Sequence, residues 1–273
     1  MRPLGAGGWL ATHALSVVQD ARRHELVLRR WARPGWERED PTFPPATEAA
    51  VLDRLAASAP DIPAPRVVAL DTDGARAGVP AILATRLPGR PPSLPATRRP
   101  DVLRQLATWL VRIHGVDAGL EDMAHPFRSY SRLDEIAPPP GSGRPDLWAR
   151  ALAVAGSRPA ARVSTFLHRD FHPGNTLWRA GRLTGIVDWT AASWGPPAAD
   201  LAHLRGNLAI DHGPAVANLV ERLYREAGGS TEHQRWWDIR TVLDYVPDLP
   251  ARAAGGDALA GLERYLEGVL QEF

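Results

Sequence analysis

Hydrophobic and polar positions in the first third of the chain follow patterns typical of β-strands. Residues 4–31 combine a glycine cluster, a β-prone run and the segment LVLRRW, which predicts a strand–loop–strand unit. The segments IPAPRVVALD and GVPAILATRL flank the turn DTDG and predict a hairpin. Between these strands, residues 48–58 have helical periodicity, with Thr47 as the expected N-cap. The apolar face of this helix is formed by Ala49, Leu52, Leu55 and Ala56.

The remainder of the chain has mostly helical periodicity. Residues 88–100 are too rich in proline for a helix or a central strand, so we expect a connector there. An amphipathic helix is predicted over residues 101–115, with Asp101 as N-cap and Gly115 as the C-terminal stop. A hairpin is predicted over residues 175–189, with Ala180 and Gly181 at its turn. Further helices are predicted near residues 199–210, 215–227, 233–245 and 257–272.

This order of elements predicts an α+β fold with two lobes. Residues 1–88 are expected to form a small, β-rich N-terminal lobe, and residues 89–273 a larger, mostly helical C-terminal lobe. A cleft between two lobes is a common place for a small-molecule ligand.

Composition and charge exclude several classes of function. The net charge of +1 gives no argument for a nucleic-acid or membrane partner. The chain has no cysteine, which excludes zinc–thiolate sites and cysteine nucleophiles, and all 32 basic residues are arginine, which excludes lysine chemistry. The N-terminus lacks the apolar core of a signal peptide, and no apolar run reaches the roughly 18–20 residues of a membrane span, so we expect a cytoplasmic protein.

Polar residues that could take part in catalysis or metal binding are concentrated in the segment HRDFHPGN, residues 168–175. Asp170 and Asn175 lie on either side of a Pro-Gly turn, and Asp188 closes the second strand of the following hairpin. Because a hairpin of this length brings its two ends together, we expect these three side chains to converge. Two carboxylates and an amide are oxygen ligands that suit Mg²⁺.

Such a set of residues is suited to phosphoryl transfer. That reaction needs a metal on the phosphates, a positive group beside them and a carboxylate that orients the attacking hydroxyl. The segment LVLRR in the N-terminal part is the natural source of the positive group.

Three motifs resemble those of the aminoglycoside phosphotransferase and choline kinase-like family. HRDFHPGN resembles its catalytic loop, IVDWT its metal-binding motif, and WGPPAADLAHL the segment G-x-P-x-x-D-L that follows. The resemblance extends over residues 4–208 and implies a protein kinase-like fold. It also implies transfer of the γ-phosphate of ATP or GTP to a hydroxyl of a small molecule, with residues 1–88 binding nucleotide and residues 89–273 carrying catalysis and acceptor binding.

In the catalytic loop and the metal motif, the resemblance implies specific roles. Asp170 would orient the acceptor hydroxyl, Asn175 and Asp188 would hold Mg²⁺, and Asp200 would brace the catalytic loop. His168 is expected to be structural, and His172 to be a residue of the loop.

In the N-terminal part, the resemblance implies a nucleotide site. Arg29 would contact the nucleotide phosphates and Glu48 would hold Arg29, with Arg30 as the alternative because strand residues alternate faces. Gly7 and Gly8 resemble part of a phosphate-covering loop.

Three positions depart from the family pattern. An arginine stands where the family usually has the nucleotide lysine, and Arg169 replaces the usual glycine of the catalytic loop. Thr190 stands where an acidic residue is frequent. None of these changes removes a group that the chemistry strictly requires, although arginine and lysine bind phosphate with different geometry.

Two other functions fit parts of the sequence. A metal-dependent hydrolase would use the pattern H-x-D-x-H of His168, Asp170 and His172, with Asp200 and His203 as further ligands, but it leaves the N-terminal β-part unexplained. A non-catalytic kinase-like binding module would explain the missing lysine, although it would not need the intact acidic motifs.

Charge distribution bears on the acceptor. Residues 201–273 contain 11 Asp and Glu against 7 Arg, whereas residues 1–100 contain 10 against 14. An acidic acceptor lobe would suit a cationic acceptor such as an aminoglycoside. The candidate pocket residues are Asp211, Glu221, Asp238, Asp244 and Asp248. Trp236 and Trp237 are interpreted as core residues.

Overall fold

The computed structural model describes residues 2–4, 10–33, 35, 44–157, 159–249 and 257–273. Gly7 and Gly8, the predicted phosphate-covering glycines, lie outside the described residues. No helix in the described ranges is both long enough and apolar enough to cross a membrane.

The chain divides into two compact units that are discontinuous in sequence. The first comprises Met1–Pro91, Asp117–His125 and Asn175–Ala192, and the second comprises Pro92–Val116, Pro126–Gly174 and Ser193–Phe273. Residues 168–174 of the catalytic-loop segment therefore belong to the second unit, and Asn175 and the hairpin that follows belong to the first.

The first unit contains an antiparallel sheet of order β1-β2-β3-β5-β4. Its strands are β1 (Arg2–Pro3), β2 (Ala11–Gln19), β3 (Arg22–Arg30), β4 (Val67–Asp71) and β5 (Ala81–Thr85). Asp20 and Ala21 join β2 to β3 with positive φ values of 50° and 59°, as a two-residue hairpin turn requires. The predicted strand–loop–strand unit and the predicted hairpin around DTDG are confirmed by these pairings.

Helix α1 (Pro45–Ser58) packs on this sheet and completes a small core. That core consists of Trp31, Ala49, Ile82 and Ala84. The apolar face predicted for α1 is confirmed at Ala49, Leu52 and Leu55, which are buried.

The last segment of the first unit is a short hairpin formed by β8 (Thr176–Arg179) and β9 (Arg182–Ile186), as predicted. Ala180 and Gly181 both have positive φ at its turn. The backbone N–H of Ile186 donates to the carbonyl of Pro63 at 2.8 Å, which ties the hairpin to the rest of the unit.

The second unit is mostly helical. Its helices are α2 (Pro100–His114), α3 (Pro145–Ala155), α4 (Pro197–His212), α5 (Pro214–Glu226), α6 (Gln234–Tyr245) and α7 (Asp257–Gln271). The short strands β6 (His125–Pro126), β7 (Thr165–Leu167) and β10 (Ser193–Gly195) form a sheet of order β6-β10-β7. Short 3₁₀ helices cover Leu94–Arg98, Leu133–Glu135, Pro173–Asn175 and Val246–Asp248.

The core of the second unit lies among α3, α4, α6 and α7, where Trp148, Tyr265 and their neighbours are fully buried. A second cluster packs Trp236 and Trp237 against three alanines of α4. The interpretation of this tryptophan pair as core is confirmed.

Prolines start helices where the sequence suggested other boundaries. Helix α1 begins at Pro45, so the prediction of Thr47 as N-cap is wrong, and α2 begins at Pro100, so Asp101 lies in the first turn rather than at the cap. A proline at the first helical position has the right φ and has no N–H to leave unsatisfied. Helix α3, which was not predicted from the sequence, also begins with a proline, Pro145. Part of the predicted proline-rich connector is the 3₁₀ helix Leu94–Arg98.

Candidate active site

In the first unit, the structure brings together three of the predicted nucleotide-site and metal-site side chains. Arg29 lies near the end of β3, Glu48 in the first turn of α1, and Asp188 just after β9. The Arg29 guanidinium donates from Nη1 to Glu48 Oε1 and from Nη2 to Asp188 Oδ1, the latter at 2.6 Å. Arg29, rather than its neighbour Arg30, therefore holds Glu48.

Thr190 completes this cluster. Its hydroxyl accepts from Arg29 Nη2 at 2.9 Å. The same hydroxyl lies 2.9 Å from Asp188 Oδ1 and 3.2 Å from Glu48 Oε2, and it donates its single proton to one of them. Thr190 thus occupies the centre of the ion-pair cluster, where its hydroxyl links two carboxylates without adding charge.

Burial and charge act in opposite directions on these groups. Burial alone lowers the pKa of Arg29, but the Glu48 and Asp188 carboxylates outweigh it and raise that pKa, so the guanidinium stays cationic. Burial raises the pKa of the Glu48 carboxyl, whose side chain is only 2 % exposed, although Arg29 opposes the shift. The Asp188 side chain is 42 % exposed and therefore remains accessible to solutes.

Asn175 and Asp188 are neighbours at the open ends of the β8–β9 hairpin. The backbone N–H of Val187 donates to the carbonyl of Asn175 at 2.9 Å, which places Asn175 beside the residue that precedes Asp188. Asp188 has a φ of 66°, a left-handed conformation that Asp adopts more readily than most residues. The backbone therefore places two of the three residues close together, and the convergence of the Asp170, Asn175 and Asp188 side chains stays a prediction.

In the second unit, Asp200 braces the segment that carries Asp170. Its carboxylate is fully buried and accepts the backbone N–H of His168 at 2.8 Å and of Arg169 at 2.7 Å. The predicted role of Asp200 as a brace of the catalytic loop is confirmed by these bonds. The N-cap residue of α4 is Pro196, so Asp200 lies within the first turn of that helix.

A buried histidine missed from the sequence supports Asp200. His114, the last residue of α2, places Nε2 at 3.2 Å from Asp200 Oδ2 and Nδ1 at 2.7 Å from the Tyr224 hydroxyl. Because a carboxylate only accepts hydrogen bonds, the ring carries a proton on Nε2 and donates it to Asp200. Periodicity assigned His114 only to the end of a helix, and no local signal relates it to Asp200, which is 86 positions away.

Asp170 is faced by two imidazoles. Its Oδ1 lies 2.9 Å from Nε2 of His203 and 3.9 Å from Nε2 of His172. Burial alone would raise the pKa of Asp170, but the hydrogen bond and charge of His203, together with the potentials of His172 and His168, hold it well below its usual value. Asp170 is therefore an anion throughout the neutral range.

The glycine that the family usually has is replaced by an arginine in an unusual backbone conformation. Arg169 has a φ of 73°, in the left-handed region that favours glycine. Its guanidinium lies 3.7 Å from the Tyr130 ring centroid and 4.5 Å from that of Phe127. These cation–π contacts stabilise the arginine and thereby offset the backbone cost.

His168 has the structural position that was expected. Its ring is fully buried and packs edge-on against Phe171, with ring centroids 5.8 Å apart. His172 lies in the loop, where its Nδ1 accepts the backbone N–H of Gly174 at 3.1 Å.

Comparison with known proteins gives a consistent result. A sequence model described as the phosphotransferase enzyme family matches residues 5–236 of the chain. No curated protein matches.

Solved structures share the fold across almost the whole chain. An apo thermostable mutant of aminoglycoside phosphotransferase APH(4)-Ia has a TM-score of 0.66 at 19 % identity, covering 99 % of this chain and 93 % of that one. A macrolide 2'-phosphotransferase, MphH from Brachybacterium faecium, has a TM-score of 0.59 at 23 % identity, covering 94 % and 93 %. A choline/ethanolamine kinase family protein from Mesorhizobium loti has a TM-score of 0.62 at 17 % identity, covering 99 % and 85 %.

These structures confirm the predicted α+β, kinase-like fold, with its antiparallel N-terminal sheet and helical C-terminal part. The family model covers well over half of the sequence. The chain belongs to the phosphotransferase enzyme family.

Proposed function

We propose that the protein transfers the γ-phosphoryl group of ATP or GTP to a hydroxyl group of a small molecule. The observation that carries the proposal is the cluster of Arg29, Glu48 and Asp188, in which Arg29 and Asp188 meet across 159 positions of sequence. A cation held by one buried carboxylate and one accessible carboxylate resembles the ion pair and metal aspartate with which kinases bind a metal–nucleotide complex. Family membership supports the same activity.

The residues present fit Mg²⁺. Asp188 and Asn175 supply the carboxylate and amide oxygens that this hard cation prefers, and Asp188 is accessible. When bound, Mg²⁺ neutralises charge on the phosphates. Arg29 supplies a fixed positive charge beside Asp188, and Glu48 and Thr190 hold its guanidinium in one orientation.

Asp170 is the residue proposed to act on the acceptor. The acceptor oxygen attacks the γ-phosphorus, the bond between that phosphorus and the β–γ bridging oxygen breaks, and the nucleoside diphosphate leaves. The hydroxyl proton passes to the Asp170 carboxylate, which is an anion at neutral pH and is 34 % exposed. Asp200 holds the backbone on the N-terminal side of Asp170 and thereby limits its movement.

Pairing with arginines weakens the charge argument for a cationic acceptor at three of the five candidate pocket residues, Glu221, Asp238 and Asp244. Asp238 is fully buried and pairs with Arg205, so it cannot line a pocket. Glu221 pairs with Arg205 and Arg235, and Asp244 with Arg240. An APH(4)-Ia structure contains AMP-PNP and hygromycin B, and MphH is named for macrolides, so we propose a hydroxyl-bearing small molecule as acceptor without assigning its charge.

The two alternative functions have less support. Within the described residues, no group of three or more His, Cys, Asp or Glu is arranged to hold a metal ion, so the hydrolase pattern has no matching ligand set. A non-catalytic module would not require Asp170 to be braced by Asp200 and held as an anion.

A thermal-shift titration tests the nucleotide part of this proposal. ATP and GTP are added with and without Mg²⁺ to the wild type, to Asp188→Ala and to Asp101→Ala, whose side chain is similarly exposed but remote in sequence from the motifs. A ligand that binds only the folded state raises the melting temperature, by an amount equivalent to about 2.7 kcal/mol at a hundredfold excess over Kd.

We expect a Mg²⁺-dependent rise for the wild type and for Asp101→Ala, and none for Asp188→Ala. The same rise in all three proteins would contradict the assignment of Asp188 as a metal ligand. No rise with either nucleotide at concentrations up to several millimolar would favour the non-catalytic module.

A further inference from the structure

The carboxylate of Asp170 is held by a residue that belongs to a different element. His203 lies in α4, one helical turn after Asp200, and positions three apart share a face of a helix. The helix that braces the backbone of the loop through Asp200 therefore also delivers an imidazole to the Asp170 side chain. His203 Nε2 lies 2.9 Å from Asp170 Oδ1, and the histidine side chain is 8 % exposed.

Tyr245 and Asn207 surround the ring and the backbone carbonyl of His203. The Tyr245 hydroxyl lies 3.4 Å from His203 Nδ1 and donates to the His203 carbonyl at 2.9 Å. Asn207 in turn donates its side-chain N–H groups to the Tyr245 hydroxyl and to the same carbonyl, both at 2.9 Å. The Tyr245 ring packs edge-on against the imidazole, with centroids 5.5 Å apart.

The chemistry of the partners defines the direction of the contact. At 2.9 Å an unprotonated ring nitrogen would repel the carboxylate oxygen, so the contact places the proton of His203 on Nε2, although that N–H is not well aligned with Asp170 Oδ1. His172 presents its Nε2 to the same oxygen, but at 3.9 Å it is beyond hydrogen-bond distance. His203 is therefore the histidine that directly holds the carboxylate.

We propose that His203 is a positioning residue for phosphoryl transfer, which fixes the orientation of the Asp170 carboxylate toward the acceptor hydroxyl. The inference rests on the proposed function, in which the acceptor proton passes to Asp170. Without His203 the Asp170 carboxylate could move, and a displacement of about 1 Å in a reacting group lowers the rate about a hundredfold.

Several titratable or charged groups lie around the His203 ring and can influence the pH profile of kcat. Asp170, His172, Tyr130 and Tyr245 face the ring, and Arg169 and Asp244 line the same small cavity. Among them, the Asp170 carboxylate is the acceptor of the His203 proton, so the loss of His203 is expected to act mainly on Asp170.

Paired substitutions of His203 test the role. Glutamine retains an N–H donor close to the position of Nε2, whereas leucine has a similar volume and no donor. For His203→Leu we expect kcat to fall about a hundredfold with an unchanged KM for the nucleotide. We expect the acid limb of its kcat profile to move to higher pH, because Asp170 loses the partner that favours its anion.

The controls separate this role from general damage to the fold. His203→Gln should recover most of the lost activity and restore the acid limb, and the exposed His24→Leu should match the wild type. Wild-type kcat and an unmoved acid limb in His203→Leu would overturn the proposal, as would equal losses in the glutamine and leucine variants.

A measurement without turnover covers the case of an unstable variant. In ¹H–¹³C NMR spectra recorded at one pH, the His203 ring signals of Asp170→Asn should be displaced from those of the wild type, because the substitution removes the charge that lies 2.9 Å from Nε2. Identical ring signals in both proteins would overturn the contact itself. A wild type that transfers no phosphate would instead overturn the proposed function, and the positioning role with it, even where the NMR difference is present.

Discussion

Replacing Asp200 with asparagine tests how strongly the brace stabilises the catalytic segment. The Asp200 carboxylate is fully buried and accepts three hydrogen bonds, from His168 N at 2.8 Å, Arg169 N at 2.7 Å and His114 Nε2 at 3.2 Å. Asparagine has the same shape but only one acceptor oxygen, and its NH₂ group would face a donor. One backbone N–H would therefore be left without an acceptor in a buried site.

The size of the effect follows from the number of bonds affected. A hydrogen bond to a charged group contributes about 1.5–3 kcal/mol, and a buried donor left without an acceptor costs about 1–3 kcal/mol. The sum predicts a loss of about 2.5–6 kcal/mol in the free energy of unfolding for Asp200→Asn. This loss is a large fraction of the stability of a typical domain.

Urea denaturation followed by tryptophan fluorescence measures this loss directly. Asp101→Asn is the matched control, because Asp101 is 52 % exposed and pairs with Arg99 on the surface, where an ion pair contributes at most about 1 kcal/mol. A cost for Asp200→Asn that is no larger than that of the control would refute the interpretation of Asp200 as a brace.

The difference in the free energy of unfolding between wild type and Asp200→Asn should depend on pH. Burial alone would raise the pKa of Asp200, but the hydrogen bond and charge of His114, with help from His168, lower it below its ordinary value of 3.8. The stabilisation is therefore fully present above about pH 5 and is lost as the pH falls through the folded-state pKa. The difference between wild type and Asp200→Asn should shrink between pH 5 and pH 2, and a difference that widens in acid would contradict this sign.

Two further predictions concern arginines at positions that depart from the family pattern. Arg29→Lys keeps the charge but lacks the two-pronged guanidinium that bridges Glu48 and Asp188, so we expect the free energy of unfolding in urea to fall by about 1–2 kcal/mol. Arg29→Met leaves the buried Glu48 without its cation, and we expect a larger loss of about 3–5 kcal/mol. Arg169 has a φ of 73°, so Arg169→Gly should be more stable than Arg169→Ala by about 1 kcal/mol. Equal stability of the two Arg29 variants, or an alanine variant that melts above the glycine variant, would count against these contacts.

Much of the fold could be predicted from the sequence because it depends on local patterns. The alternation in β2 and β3, the amphipathic period of α2 and the Ala180-Gly181 turn each specify an element within a few residues. Helix starts were less predictable. Pro45 and Pro100 were interpreted as interruptions, whereas their fixed φ and missing N–H suit the first helical position.

The candidate site was only partly predictable for a different reason. The motif around Asp170 and the aspartate Asp188 are local signals, and the pairing of Arg29 with Glu48 followed from the resemblance and is now observed. His114 contacts Asp200 from 86 positions away in sequence, and His203 contacts Asp170 from about 30 positions away. A single histidine in a helix gives no sequence signal of such a contact. Their roles depend on helix packing, which the sequence does not specify locally.

Phosphate transfer itself is the most direct test of the central claim. The wild type and Asp170→Asn are incubated with Mg²⁺ and ATP or GTP, and nucleoside diphosphate formation is measured with and without a panel of hydroxyl-bearing acceptors that includes aminoglycosides, macrolides and choline. The account predicts acceptor-dependent diphosphate formation by the wild type and a loss of about a hundredfold or more in Asp170→Asn, as expected for removal of a general base. Acceptor-dependent formation at the same rate in both proteins, or none above background in the wild type with any acceptor, would contradict it.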